Sequence, residues 1–244
     1  MNRYLWVASF LAAVVCGSYI FKFGLAEHYS ISDNPEQWGQ LGDYIGGLLN
    51  PSLSFISIVL LIKSLTIQNQ ANSDIRREIE NTRKTEKLRS FESQLFHMVN
   101  SLRESFDKFR IKSEDPENII DEHASGAVIW IETKIENMRE TSRENTEIVE
   151  FLNETDSSDQ VFGLCRMFYH MVKLVSEKLS DSNGFSREDR NSHYLTIINF
   201  TDFALLRLIM MTIQFQDYES CKYIRNNSEF YEAISEMGMS YDMY

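Results

Sequence analysis

The chain lacks the motifs that announce familiar chemistry: it has no glycine-rich phosphate loop, no GxSxG elbow, no HExxH pair and no Asp and His cluster suited to a metal. No catalytic residue, metal or cofactor is therefore assigned, and the protein is expected not to be an enzyme. Cysteine is scarce, with Cys16, Cys165 and Cys221 at spacings that form neither a disulfide framework nor a CxxC site, so a reducing compartment is expected. Proline occurs only at 35, 51 and 116, and regular period-two alternation is missing after residue 68, so the soluble part is expected to be all-α. A basic excess is missing too. The formal net charge is -12, and after residue 68 there are 21 Lys and Arg against 32 Asp and Glu, which disfavours a broad nucleic-acid-binding surface.

What the chain does have is two long apolar runs near its start, Tyr4 to Phe21 and Tyr44 to Ile62. About 20 helical residues cross a hydrocarbon core of about 30 Å, so each run is long enough to span a bilayer. Residues 26–43 between the spans carry Glu27, Asp33, Glu36 and Asp43 with no Lys or Arg. Arg3 precedes the first run, and Arg76, Arg77, Arg83, Lys84, Lys87 and Arg89 follow the second. This bias predicts both termini in the cytoplasm and, in a bacterium, a short periplasmic loop. The sequons at Asn153, Asn199 and Asn226 are then chance matches. A cleaved signal peptide is the alternative for the first run, given Arg3 and the small residues Ala12, Ala13 and Gly17; the second run favours a retained hairpin.

The expected fold class is all-α: a two-span transmembrane helical hairpin, a helical stalk and an all-α cytoplasmic domain. The hairpin occupies 1–68, with spans at about 4–25 and 44–67; the stalk occupies 69–110; the domain occupies 111–244. Within the loop, Asp33-Asn34-Pro35-Glu36 is turn chemistry that places Pro35 in the first turn of a short helix. The stalk is thinly apolar, with Ile67, Ala71, Ile75 and Ile79 four apart. A broad apolar face then begins at Leu88, Phe91, Leu95, Met98, Leu102, Phe106 and Phe109.

Further on, Asp115-Pro116 reads as an N-cap and first-turn pair opening a second long helix through Ile120, Ala124, Ala127, Ile131, Ile135 and Met138. A polar break follows. Val161 to Leu179 marks another helix, ended by Asp181-Ser182-Asn183-Gly184, and Ser186 with Asp189 caps the next. A short helix over Ser228 to Met237 closes at Gly238. Tyr194 to Phe215 approaches the apolar content of a span, but Asp202 and Arg207 inside it favour a buried core helix over a third crossing.

Candidate site residues cluster at the second run. Trp38, Gly39, Gly42, Asp43, Gly46 and Gly47 form a glycine-rich opening in which Gly42 and Gly46 make a GxxxG pair. Such pairs let helix backbones approach closely, between two spans or between copies; a flexible interfacial turn is the plainer alternative. Asn50-Pro51 predicts a kink or a late start of the span. Lys63 is an interfacial anchor or a pore-lining charge. The basic cluster from Arg76 to Arg89, interleaved with Asp74, Glu78, Glu80 and Glu86, reads as a solvated stalk face. Contact with anionic lipid or with a partner's nucleic acid is the alternative, so any direct nucleic-acid binding is confined to the stalk. His28, His97, His123, His170 and His193 are scattered; His97 and His170 fall in apolar stretches that predict core or hydrogen-bonding roles. Cys165 and His170, five apart, point to different helix faces and make no nucleophile pair.

The string Trp38 to Pro51 resembles the signature of the bacterial phage abortive infection family, including two-transmembrane effectors encoded beside retron reverse transcriptases. Phe91-Glu92-Ser93-Gln94-Leu95-Phe96, the segment around Gly126-Ala127, Arg166-Met167-Phe168-Tyr169-His170 and Tyr194 through Leu206 extend the likeness over most of the chain. The resemblance implies an inner-membrane effector of an antiphage defence system, silent until infection and then damaging the membrane. It implies as partners a reverse transcriptase with its RNA-DNA hybrid (msDNA); the bilayer as a partner is expected from the two apolar runs, and further copies of the chain from the GxxxG pair. The competing class is a membrane-anchored helical scaffold that recruits a cytosolic partner; an enzyme with an unfamiliar helical active site is a third.

Overall fold

A computed structural model describes residues 2–26, 33–115 and 118–244. The chain divides into two compact units, Met1–Thr82 and Arg83–Tyr244. The described residues are mainly helical, with one short two-stranded hairpin among them.

In the first unit, α1 (Asn2–Tyr19) runs into a π-helical stretch, Ile20–Ala26. Helix α2 (Pro35–Asp107) starts where the turn chemistry places it: the Asn34 side chain accepts the Glu36 N–H at 3.0 Å, and Pro35, with no N–H to leave unpaired, takes the first position. The helix it opens is not short, however. α2 is 73 residues long and passes through Pro51 without a break, so the late start predicted at Asn50-Pro51 gives way to a helix begun 16 residues earlier. Two helices are long and apolar enough to cross a membrane: the first along Trp6–Leu25, the second α2.

In the second unit the end of α2 supplies Phe91, Leu95, Val99, Leu102 and Phe106 to a core shared with α3 (Ala124–Glu140), α4 (Asn145–Thr155) and α5 (Gln160–Lys178). α6 (Arg187–Phe200), α7 (Phe203–Phe215), α8 (Glu219–Asn226) and α9 (Ser228–Glu236) complete it. At its centre Phe230 packs edge-on against Phe168 and Tyr194, and all three are fully buried. The Tyr194 hydroxyl keeps partners there, at 2.7 Å from Ser176 Oγ and 3.3 Å from the Asn227 amide. Among the described residues, Arg207 Nε is the one buried side-chain nitrogen or oxygen without a hydrogen-bond partner, although Arg207 pairs with Glu132 at 2.7 Å through its other nitrogen.

Three sequence expectations are corrected. Residues 110–123 form a β-hairpin rather than the start of a long helix: β1 (Arg110–Asp115) pairs antiparallel with β2 (Asn118–His123), and the helix begins only at Ala124. Asp115 thus ends a strand, while Pro116 lies outside the described residues. The Arg110–Asp121 ion pair and the Ala124 N–H to Phe109 carbonyl bond hold the hairpin, both being contacts that periodicity does not encode. The polar break contains α4, whose Ile148 and Leu152, one turn apart, are enough to seat it.

The apolar run from Tyr194 to Phe215, expected as one helix, is two helices bent by 112° across Thr201 and Asp202. Asp202 forces the new start, its carboxylate accepting the N–H groups of Ala204 at 2.8 Å and Leu205 at 3.4 Å. At 14 and 13 residues the pieces are each too short to span, and apart from exposed Phe200 and Phe203 at the bend their large apolar side chains are buried or half-buried. Replacing Asp202 by alanine is expected to cost about 1 kcal/mol. The urea midpoint of the detergent-solubilised chain should then fall by roughly 0.3–1 M, with Asp202→Asn near wild type.

Candidate functional site

The two apolar helices of the first unit touch near both ends. At one end Ser18 Oγ lies 3.3 Å from the Tyr44 hydroxyl, and the Tyr19 and Tyr44 rings are 5.5 Å apart. At the other, Lys63 Nζ donates to the Tyr4 hydroxyl at 3.4 Å and sits 5.2 Å from the centre of its ring. Between these ends the half-buried positions recur every three or four residues: Ala8, Leu11, Ala12, Val15 and Cys16 on α1, and Ile45, Leu49, Ser52, Ile56 and Val59 on α2. The remaining faces carry exposed Trp6, Phe10, Val14, Leu53, Phe55 and Ile58. Tyr44 and Lys63 are 19 residues apart, about 29 Å of helix, close to the hydrocarbon thickness of a bilayer.

The glycine-rich string occupies the first turns of α2. Gly46 lies on the half-buried face, and a side chain there would meet only Asn50 of its own helix, at 3.6 Å. Beside Gly39, Gly42 and Gly47 a side chain would meet no described atom within 4 Å. Asp43, Asn50 and Pro51 are exposed, as is Trp38. Just after Pro51, which offers no N–H, Ser52 Oγ donates to the Leu48 carbonyl at 2.8 Å.

The second unit brings together residues that sequence distance kept apart. His97 on α2 and His170 on α5 are exposed, contrary to the core roles expected of them, because they flank the buried faces of their helices. With Ser93, Gln94, Ser101 and Lys173 they line an open groove of about 910 Å³. His123 is exposed, 3.4 Å from Asp121. His193 is half-buried against the Phe91 ring, with Nδ1 2.7 Å from the Asp189 carbonyl, while His28 lies outside the described residues. Cys165 and Cys221, 56 positions apart, place their sulfurs 3.4 Å from each other in the core, both as free thiols. The hydrogen bond between them, with burial, pushes the Cys165 thiol up.

The strongest polar cluster is built on Arg190. Its guanidinium forks onto Glu229 at 2.7 and 2.8 Å and also donates to Asp181 and to the Leu179 carbonyl, each at 3.0 Å. The Arg190 hydrogen bonds hold the Glu229 carboxyl below its ordinary range, against the opposing effect of burial. The neighbours are structural partners from α6, α9 and the turn after α5, so the cluster ties helices together.

Together these features define a helical protein with two helices able to cross a membrane and a separate helical unit. No family model, curated protein or solved structure matches the chain.

Proposed function

We propose that the protein is an inner-membrane effector of a retron-type antiphage defence system. On this reading α1 and the first part of α2 form an in-out-in hairpin with both termini in the cytoplasm, and the second unit is the cytoplasmic domain. Its partners are a reverse transcriptase and its RNA-DNA hybrid, which hold it silent until phage infection. Activation then lets the spans breach the bilayer, with no enzymatic step.

The observation that carries the membrane part is the contact of two apolar helices at both ends, with a tyrosine and a lysine one hydrocarbon thickness apart on α2. Tyr and Lys at such positions are interfacial anchors, and the Lys63 to Tyr4 bond supports anchoring over pore lining for this charge. The defence role rests on the resemblance of Trp38 to Pro51 and the patches after it. The test is expression of the full chain with its retron partners in a bacterium. After phage infection, a potential-sensitive dye should report depolarisation and an impermeant DNA dye should enter. Intact potential and dye exclusion in cells that halt phage growth would refute membrane damage as the mechanism.

The scaffold reading draws on the open groove beside His97 and His170, a surface suited to a cytosolic partner. Removing residues 1–68 separates the two: a scaffold keeps its partner without the spans, whereas an effector loses its toxicity.

A further inference from the structure

Two of the three cysteines meet inside the second unit. Cys165 lies on α5 and Cys221 in the first turn of α8, both fully buried, with their sulfurs 3.4 Å apart. A disulfide bond is about 2.05 Å long, so roughly 1.4 Å separates this contact from a bond. The surroundings treat the two sulfurs unequally. Cys221 faces the Thr212 carbonyl at 3.7 Å, and Ser220 Oγ stands 3.9 Å from the Cys165 sulfur. The hydrogen bond from Cys165 draws the Cys221 thiol below its ordinary value against the effect of burial, and Ser220 and Arg225 act in the same direction. Cys221 is therefore the readier thiolate, and the thiolate is the form that attacks an oxidant. Cys165, which keeps its proton more tightly, stands where a second sulfur is needed to complete a disulfide.

We propose that Cys165 and Cys221 form a peroxide-sensitive dithiol, and that its oxidation to a disulfide clamps α8 to α5. Hydrogen peroxide, only two oxygen atoms in size, passes through core fluctuations smaller than the opening that a bulky labelling reagent requires. The Cys221 sulfur attacks one peroxide oxygen; the O–O bond breaks, one water leaves and Cys221 becomes a sulfenic acid. The Cys165 sulfur then attacks the Cys221 sulfur; the S–S bond forms, the S–O bond breaks, and the hydroxyl departs with the Cys165 proton as a second water. Two thiols and one hydrogen peroxide thus give one disulfide and two waters, the sulfurs losing the two electrons that the peroxide gains. Contact between the sulfurs lets the second step outrun further oxidation of the first. The bond closes a loop that contains α6 and α7, and so opposes the opening of the unit. In a reducing compartment thiol exchange returns the pair to its free state, which makes the clamp reversible. It lies wholly within the second unit and does not depend on α1 and α2 crossing a membrane.

The test uses the full chain in detergent with Cys16→Ser, exposed to hydrogen peroxide, quenched with catalase and then denatured for a thiol count. Both remaining thiols are expected to disappear together within the time that oxidises free glutathione in a parallel tube. The chain should stay monomeric on a non-reducing gel, and dithiothreitol should return both thiols. Mass spectrometry of the digest should find residues 165 and 221 in one linked pair of peptides. The oxidised chain should unfold at a urea midpoint higher by roughly 1 M or more, the effect of closing a loop across 56 positions, and dithiothreitol should cancel the rise. Cys165→Ala and Cys221→Ala should each lose both the linked peptides and the rise. Thiols that stay free once the glutathione is consumed would overturn the proposal and leave the pair as space-filling core. So would a sulfinic acid at Cys221 beside an intact Cys165 thiol, a disulfide between chains, or a linked pair that leaves the midpoint unmoved.

Discussion

Replacing Arg190 by methionine is expected to destabilise the second unit by about 3–5 kcal/mol, the range for breaking one side of a buried ion pair. The side chain is only 10% exposed and satisfies Glu229, Asp181 and the Leu179 carbonyl at once. Methionine fills similar volume but leaves Glu229, itself 27% exposed, facing a thioether, and leaves the carbonyl without its donor. Labelling of Cys165 and Cys221, which are fully buried, gives the readout. In a Cys16→Ser background their labelling rate should rise roughly a hundred- to several-thousand-fold, since each 1.4 kcal/mol of opening free energy is about tenfold. Adding Glu229→Leu should recover much of the loss, because removing both partners leaves no orphaned charge.

The same pair sets an acid limit. Glu229 has a folded-state pKa below its ordinary 4.5, so its contribution is present above that value and is lost as pH falls through the lower folded one. Thiol protection in the wild type should weaken in that acid window, while Arg190→Met should lack this component. A variant as protected as wild type at neutral pH would show that the cluster is not what ties α6 to α9.

The parts of the fold legible in sequence are those written in local terms. Pro35 behind Asn34, the Ser186–Asp189 capping box and the glycines at 184 and 238, both with positive φ, are readable because each acts within four residues. The two long apolar runs are readable for a different reason: lipid, rather than a distant part of the chain, is the solvent their composition fits. What escaped depends on contacts across the fold. The hairpin at 110–123 is made by Arg110 meeting Asp121. The groove beside His97 and His170 exists because α5 packs beside α2, and the thiol pair because α8 packs on α5. Asp202 was the missed local signal: an N-cap type inside an apolar run marks a helix start as readily as a costly buried charge, and it makes the 112° turn.

Replacing Phe55 by aspartate is expected to abolish the proposed membrane damage outright. Phe55 lies 11 residues beyond Tyr44 and 8 before Lys63, and it is 68% exposed, on a face that α1 leaves to lipid in the proposed hairpin. Exchanging phenylalanine for aspartate near the centre of a span costs about 3–4 kcal/mol, which shifts insertion by roughly two to three powers of ten. Dye entry and depolarisation should disappear, and most of the chain should wash out in carbonate. Protection of Cys165 and Cys221 should stay as in wild type, because the second unit keeps its own core. Phe55→Leu should behave as wild type, which separates polarity from shape. The same change twenty residues further along α2 provides the contrast. Ile75→Asp, at a position that is also exposed in the chain but lies beyond Lys63, should leave carbonate resistance unchanged. If aspartate at 55 and at 75 had equal effects on extraction, α2 would not enter the bilayer before Lys63, and the hairpin would lose its basis.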